Sequence, residues 1–153
     1  MKEYDDLDAT DFNILSILLK NSRESYKQIG LQVGLSAPAV TERIRQMEDS
    51  GIIKGYTVDL DAQKIGYNVS AIITLTSTYH PLSKLIGDIM KEHGVYLCCR
   101  LTGDFDYMLF LMVESIGELD KALRQFSKYG KTKTNIVLAQ EQKRDLPNFQ
   151  DKI

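Results

Sequence analysis

The segment from Ser25 to Met47 constrains the fold of this chain more than any other. Ser25 precedes an apolar pattern with helical spacing, Gly34 interrupts that pattern, and Ser36 precedes a second one. Serine is a favoured helix N-cap, and glycine tolerates the backbone conformation that ends a helix. Pro38 falls in the first turn of the second helix, where its missing N–H costs nothing. The sequence therefore predicts two helices joined by a tight turn, which is a helix-turn-helix.

The outward face of the second predicted helix has small residues at its start and polar ones after it, which suits insertion into a DNA major groove. A local basic patch, formed by Lys20, Arg23, Lys27, Arg43, Arg45 and Lys54, would meet the phosphates. The alternative is a helical corner that only packs. The residues expected to contact DNA are Lys27, Ser36, Ala37, Pro38, Thr41, Glu42, Arg43, Arg45 and Gln46.

Length and charge narrow the class of protein. The chain has 153 residues and a net charge of −2, so it can hold one ordinary domain or two small ones. The charge argues against a non-specific nucleic-acid coat protein but not against a sequence-specific binder. No apolar run would span a bilayer, and the acidic start is no signal peptide. We expect a cytoplasmic, nucleoid-associated protein with no membrane partner.

The remaining patterns predict the order of the elements. A helix runs from about Asp8 to Lys20, and the alternating segment Ile52–Leu60 predicts a strand. The second half reads strand, helix, strand, strand, helix, strand, which is the ferredoxin-like βαββαβ order. Its predicted strands are Val69–Thr78, Val95–Thr102, Phe105–Val113 and Thr132–Gln140, with helices opened by Pro81 and Ser115 and closed by Gly94 and Gly130. Gly103 and Asp104 form a hairpin turn.

The fold class is thus α+β, with four predicted regions. Residues 1–54 form a helix-turn-helix, winged-helix-like domain, and 55–67 a hinge strand and linker. Residues 68–142 form the ferredoxin-like domain, and 143–153 a polar tail.

The predicted strand Phe105–Val113 carries apolar residues on both faces. Two helices can cover only one face of a four-stranded sheet, so the other face would be a large apolar patch in a monomer. We expect it to pack on a second copy through a two-fold axis. Such a homodimer would also carry two helix-turn-helix units, as a palindromic operator requires.

Several segments together resemble the Lrp/AsnC (feast/famine) transcriptional regulators. Asp8–Leu15, Val33–Ile44 and Gly51–Tyr56 are similar to the amino-terminal half of that family. Leu101–Leu109 and Thr132–Leu138 are similar to its amino-acid-sensing domain, and the likeness runs from about Asp8 to Lys143. The resemblance implies dimers that often assemble into octamers, and a strand at Gly55–Leu60 that pairs with the dimer mate. It also implies an effector, usually an amino acid, bound between sensing domains near the Gly-Asp turn.

The resemblance carries Gly103, Asp104, Asp106, Thr132 and Thr134 over as effector-binding positions. A carboxylate suits the ammonium of an amino acid, whereas backbone N–H groups and hydroxyls suit its carboxylate. From the residues alone, the turn is equally ordinary hairpin chemistry and the threonines are ordinary strand formers. Arg100 would reach the pocket, contact a neighbouring dimer or be solvated. The expected effector-binding set is Arg100, Thr102, Gly103, Asp104, Asp106, Thr132 and Thr134.

No pattern indicates a cofactor, a metal or catalysis. His80 and His93 are not at ligand spacing, and the adjacent Cys98 and Cys99 suit neither a disulfide nor a metal site. We therefore expect a non-enzymatic, sequence-specific regulator of transcription that responds to a small effector. The alternatives are an effector-independent architectural protein that bends or compacts DNA, and an enzyme built on the ferredoxin-like half, for which no catalytic constellation is present.

Overall fold

The computed structural model describes residues 7–77 and 82–141, which divide into two compact units between Val58 and Asp59. The first unit contains helices α1 (Ala9–Lys20), α2 (Tyr26–Val33) and α3 (Ala37–Asp49). In the second, a short 3₁₀ turn (Gln63–Ile65) leads into the remaining elements, which are β1 (Val69–Ser77), α4 (Leu82–Ile89), β2 (Val95–Arg100), β3 (Tyr107–Val113), α5 (Ile116–Phe126) and β4 (Gly130–Ile136). None of the described helices is long and apolar enough to cross a membrane.

Local capping chemistry fixes the three amino-terminal helices where the sequence predicted them. Asp8 and Asp11 form a reciprocal capping box at the start of α1. The Ser25 and Ser36 hydroxyls accept hydrogen bonds from the third backbone N–H of α2 and α3. Gly34 ends α2 in the left-handed conformation at φ +74°, so the tight turn of the helix-turn-helix is confirmed.

The core of the first unit holds these helices together. Its buried side chains come from all three helices and are Ile14, Leu18, Ile29, Val40, Ile44 and Met47. Burial of an aliphatic side chain of this size contributes about 1.5–3 kcal/mol. Because the buried positions of α3 lie along one stripe, the opposite side of that helix faces outward.

The second unit has the predicted ferredoxin-like topology. Its sheet is antiparallel throughout, in the order β2-β3-β1-β4. Helices α4 and α5 pack on one face, where alternate residues of β1 and β3 meet them in a single core. That core includes Ile73, Leu75, Leu85, Ile89, Tyr107, Leu109, Leu111, Val113, Leu119 and Phe126. The other set of alternating side chains points away from the helices.

The face of the sheet without helices is apolar at its centre, as predicted. Met108, Phe110 and Met112 of β3 lie on it, half-buried by their neighbours alone. Tyr96 of β2 packs edge to face against Phe110, with ring centroids 6.1 Å apart. We call this surface the open face; its central residues are Ile72, Tyr96, Leu97, Cys99, Met108, Phe110 and Met112.

Some predicted elements differ from the structure. The strand expected at Ile52–Leu60 is wrong for the single chain, since no helix or strand is present there and Tyr56, Val58 and Leu60 are exposed. A β-pattern forms a strand only when a partner supplies the ladder of hydrogen bonds. Gly130 opens β4 instead of closing α5, and β4 ends at Ile136. Pro81 and His80 lie outside the described residues.

Candidate DNA-binding surface and ligand-binding loop

The outward face of α3 presents the side chains that were predicted to read DNA. Pro38, Thr41, Glu42, Arg45 and Gln46 are exposed there, and Lys27 is exposed on α2. Ser36 and Ala37 lie at the amino-terminal end of α3. The Ser36 hydroxyl accepts a hydrogen bond from the Ala39 N–H, and the Thr41 hydroxyl donates to the Ala37 carbonyl at 2.9 Å. These two hydroxyls therefore take part in helix structure in the free protein.

Arg45 lies in a small ionic network along α3. Its guanidinium contacts Glu42 at 2.8 Å and Asp49 at 2.9 Å, and Gln46 donates to Glu42 at 3.0 Å. The hydrogen bonds from Arg45 hold the pKa of Glu42 below its ordinary value. With 59% of its side chain exposed, Arg45 can exchange these weak surface contacts for contacts with phosphate or a base edge.

Arg43 has a different environment, although it lies only two residues away. Its guanidinium binds Asp8 and Asp11 at the start of α1, each at 2.8 Å. The Asp11 side chain is 9% exposed, and its hydrogen bond raises the pKa of Arg43. Arg43 thus ties α3 to α1, a contact that no local sequence pattern indicates because the two carboxylates are distant in the chain. A DNA contact of Arg43 stays a prediction.

The candidate ligand-binding loop, residues 101–106, joins β2 to β3 and is longer than the two-residue turn that was predicted. A hydrogen bond from Leu101 N to Asp106 O at 2.8 Å closes it. Thr102, Gly103 and Asp104 are exposed at its tip, where Gly103 adopts φ +114°. The Asp104 carboxylate makes no hydrogen bond or ion pair within the described part of the chain.

Asp106 anchors this loop to the end of β1. Its carboxylate accepts a hydrogen bond from the Ser77 N–H at 2.7 Å, and its own N–H donates to the Leu75 carbonyl at 3.0 Å. The Thr76 hydroxyl donates to the Asp104 carbonyl at 3.4 Å. Asp106, which was predicted to bind the effector, is therefore committed to holding the loop in this structure.

The other predicted effector residues lie on opposite edges of the sheet. Arg100 is paired with Tyr107, Tyr107 with Leu75, and Leu75 with Thr132, so one row crosses all four strands. Three strand spacings separate the backbones of Arg100 and Thr132 by roughly 14 Å. Thr134 lies further along the same edge as Thr132. One chain thus brings together Arg100, Thr102, Gly103 and Asp104 but not the two threonines.

One cluster of possible metal ligands was missed in the sequence. His93, Glu114 and Glu118 have ligand atoms that all lie within 4.8 Å of one another. They come from three different segments, so no spacing motif connects them. No signal in the sequence alone would have found this group.

Comparisons with known proteins match the two units separately. The model of a winged helix-turn-helix DNA-binding family matches residues 7–54. The model of the Lrp/AsnC ligand binding domain matches residues 70–147. These ranges cover the three-helix unit and the sheet that carries the loop.

Relatives match along nearly their whole length. The HTH-type transcriptional regulator LrpC of Bacillus subtilis is 35% identical over 134 residues, which are 88% of this chain and 93% of that protein. The structure of Bacillus subtilis LrpC superposes with a TM-score of 0.82 at 34% identity, over 89% of this chain and 97% of that one. A transcriptional regulator from Neisseria meningitidis in complex with L-methionine shares the fold at 23% identity, with a TM-score of 0.86 over 94% of this chain and 98% of that one. The resemblance inferred from the sequence is confirmed, and this chain belongs to the Lrp/AsnC family of DNA-binding transcriptional regulators.

Proposed function

We propose that this regulator senses a free amino acid at the 101–106 loop and uses it to control how α3 engages a palindromic operator. The observation that carries the proposal is the loop itself. It is tied to β1 through Asp106, yet it presents the exposed residues Thr102, Gly103 and Asp104 at its tip. A rigid support with unsatisfied polar groups is what a small polar ligand requires.

The chemistry of the loop suits both charged groups of an amino acid. The Asp104 carboxylate would accept hydrogen bonds from the ammonium. The backbone N–H groups around Gly103 and the Thr102 hydroxyl would donate to the carboxylate. Arg100, exposed at the end of β2, would supply a further positive charge. The L-methionine complex of a regulator with the same fold supports this class of ligand.

A complete pocket would form between subunits. Thr132 and Thr134 lie on the β4 edge, across the sheet from Arg100, so they would line a pocket with the loop of another subunit. We propose a homodimer through the open face and further assembly, to an octamer, that brings these edges together. Ligand bound there would stabilise one arrangement and so reset the spacing of the α3 helices.

The proposed role is that of a regulator on the nucleoid without enzymatic activity. The relatives named above are transcriptional regulators, which supports a non-enzymatic role.

A thermal-shift panel of the twenty amino acids and common keto acids on the full chain tests the proposal. A ligand that binds only the folded state raises the melting temperature by mass action. We expect one or a few compounds to raise it and Asp104→Ala to abolish the shift. As a matched control, Asp120→Asn removes an exposed carboxylate on α5, away from the loop, and should keep the shift. No shift at millimolar concentrations would overturn the sensor and favour an architectural protein with long, cooperative DNA footprints.

A further inference from the structure

Three side chains of the second unit converge at the end of the sheet where β3 finishes. His93 lies between α4 and β2, Glu114 directly follows β3, and Glu118 is in the first turn of α5. The His93 Nε2 and Glu114 Oε2 atoms are 3.9 Å apart. All three ligand atoms lie within 4.8 Å of one another. Donors that meet from three segments can chelate a single ion.

The backbones that carry these donors are well fixed. Gly94, next to His93, accepts a hydrogen bond from Met112 N at 2.9 Å and adopts φ +80°. A side chain at position 94 would meet Val113 Cγ1 at 2.6 Å, so this loop packs directly on β3. The Glu118 N–H donates to the Ser115 hydroxyl at 3.3 Å, which fixes the start of α5. Rotation of the side chains would then bring the three donors together around an ion.

We propose that His93, Glu114 and Glu118 form a binding site for a divalent transition-metal ion of the Zn²⁺ class. An imidazole nitrogen with two carboxylate oxygens is a donor set that zinc takes, whereas calcium and magnesium prefer oxygen alone. Ligand bonds of about 2.0–2.2 Å place neighbouring donors roughly 3.3–3.6 Å apart around a tetrahedral ion. The separations, 3.9 Å between His93 and Glu114 and up to 4.8 Å among the three donors, must shorten, which the exposed side chains of His93 (62%) and Glu114 (54%) allow. Water would fill the remaining position.

Lys121 forms an ion pair with Glu118, one of the three proposed metal ligands. Its ammonium binds Glu118 at 2.7 Å and compensates the charge that a metal would neutralise. An exposed ion pair of this kind contributes little to stability, so a divalent ion can displace the lysine. Lys121 is therefore a competitor, and its removal should strengthen metal binding.

The location suggests what the metal would influence. The Asn68 side chain donates to the Glu114 carbonyl at 3.3 Å and to the Gly66 carbonyl at 3.1 Å, just before β1. An ion on Glu114 would stiffen the point where the chain enters the sheet. This effect is distinct from effector binding at the 101–106 loop, which lies at the opposite end of β3.

Isothermal titration of Zn²⁺ into the chelator-treated full chain tests the proposal. We expect one ion per chain, with affinity reduced about tenfold or more in His93→Gln and in Glu118→Gln, because ligand loss costs at least as much as loss of an outer-sphere contact. Two controls should retain wild-type affinity: His80→Gln, which removes the other histidine, and the double variant Cys98→Ala/Cys99→Ala. Circular dichroism must show that every variant is folded.

Lys121→Gln provides the test in the opposite direction. We expect it to bind Zn²⁺ more tightly than the wild type, since Glu118 is then unpaired. Unchanged affinity in folded His93→Gln would overturn the site. So would loss of binding only in the cysteine variant, or no heat of binding at millimolar Zn²⁺.

Discussion

Arg43 and Arg45 lie on the same helix, but their guanidinium groups have different partners. Arg43 binds Asp8 and the nearly buried Asp11, whereas Arg45 lies among the exposed Glu42 and Asp49. Loss of Arg43 would leave the Asp11 carboxylate without its charged partner in a poorly solvated position. Substituting each arginine in turn should therefore separate a structural role, expected for Arg43, from a DNA-binding role, expected for Arg45.

Arg43→Ala should lower the free energy of unfolding by about 1–2 kcal/mol, because a charged hydrogen bond to the nearly buried Asp11 carboxylate is lost. The ion pair with the more exposed Asp8 contributes little, because solvent screens it. Urea unfolding followed by circular dichroism measures this change. Arg45→Ala is the matched control and should unfold at the wild-type urea concentration. Equal stability of the Arg43→Ala variant and the wild type would contradict the structural assignment.

Arg45→Ala should instead weaken DNA binding by about tenfold or more while leaving the helical signal unchanged. The reason is that its partners in the free chain are weak surface contacts, which DNA can replace. Fluorescence anisotropy with operator DNA, at several salt concentrations, gives the affinity and its salt dependence. Wild-type affinity in this variant would remove Arg45 from the DNA-binding surface, and a loss of helicity would show a structural role.

Helix ends and turns were predictable from local chemistry, whereas contacts between distant segments were not. The caps at Ser25 and Ser36 and the glycine at Gly34 act within a few residues, so the sequence located the helix-turn-helix correctly. The predicted strand at Ile52–Leu60 failed because a strand depends on a partner that the pattern does not name. For the same reason the exposed loop tip was predictable, but the hydrogen bond from the Ser77 N–H to the Asp106 carboxylate was not.

Gly30 supports the turn between α2 and α3 by allowing close approach. A methyl group there would collide with the Leu35 carbonyl oxygen, while Leu35 N donates to Gly30 O at 2.9 Å. Because alanine has a higher helix propensity than glycine, the substitution alone would stabilise the helix by about 1 kcal/mol. We nevertheless expect Gly30→Ala to destabilise the protein by about 1–3 kcal/mol, because the backbone at Leu35 must move to make room for the methyl group.

Gly87→Ala is a matched control for that experiment. Gly87 is an exposed glycine in α4 with nothing within 4 Å of an added methyl group. The control should be neutral or slightly stabilising in thermal unfolding. A Gly30→Ala protein as stable as the control would show that the turn can relax.

Glu92 ties the segment that follows α4 to the segment that follows α5. Its carboxylate, 16% exposed, accepts hydrogen bonds from Lys128 at 2.6 Å and from the Tyr129 hydroxyl at 2.8 Å. The hydrogen bond from Lys128 is the main cause that lowers the pKa of Glu92 below its ordinary 4.5. A lowered folded-state pKa stabilises the fold above the unfolded-state value, and this stability is lost as the pH falls through the folded-state value.

Glu92→Gln should therefore lower the free energy of unfolding by about 1 kcal/mol at pH 7. The difference in this free energy between variant and wild type should shrink as the pH falls below about 4.5. Urea unfolding at a series of pH values measures it. A difference that stays constant into the acid range would contradict the ionic origin of the effect.

The sheet of the second unit presents two kinds of surface that differ in chemical character. The open face offers continuous apolar area around Phe110, which is the expected character of a symmetric, self-complementary interface. The two edges instead carry the loop residues and the β4 threonines, which are polar and too far apart to meet within one chain. Dimerisation and effector binding would thus depend on different surfaces, and mutations should separate them.

Phe110→Lys should convert the proposed dimer into a monomer, since a charge at the centre of an apolar interface cannot be solvated there. The helix-covered core does not contain Phe110, so the variant should remain folded by circular dichroism. Ile116→Lys is the matched control, because it places the same charge on an exposed isoleucine of α5. Size-exclusion chromatography with light scattering should give half the wild-type mass, or less, for Phe110→Lys alone.

A folded Phe110→Lys protein of wild-type mass would show that the open face is not the dimer interface. A monomeric variant that also loses affinity for palindromic but not for half-site DNA would link that face to operator recognition.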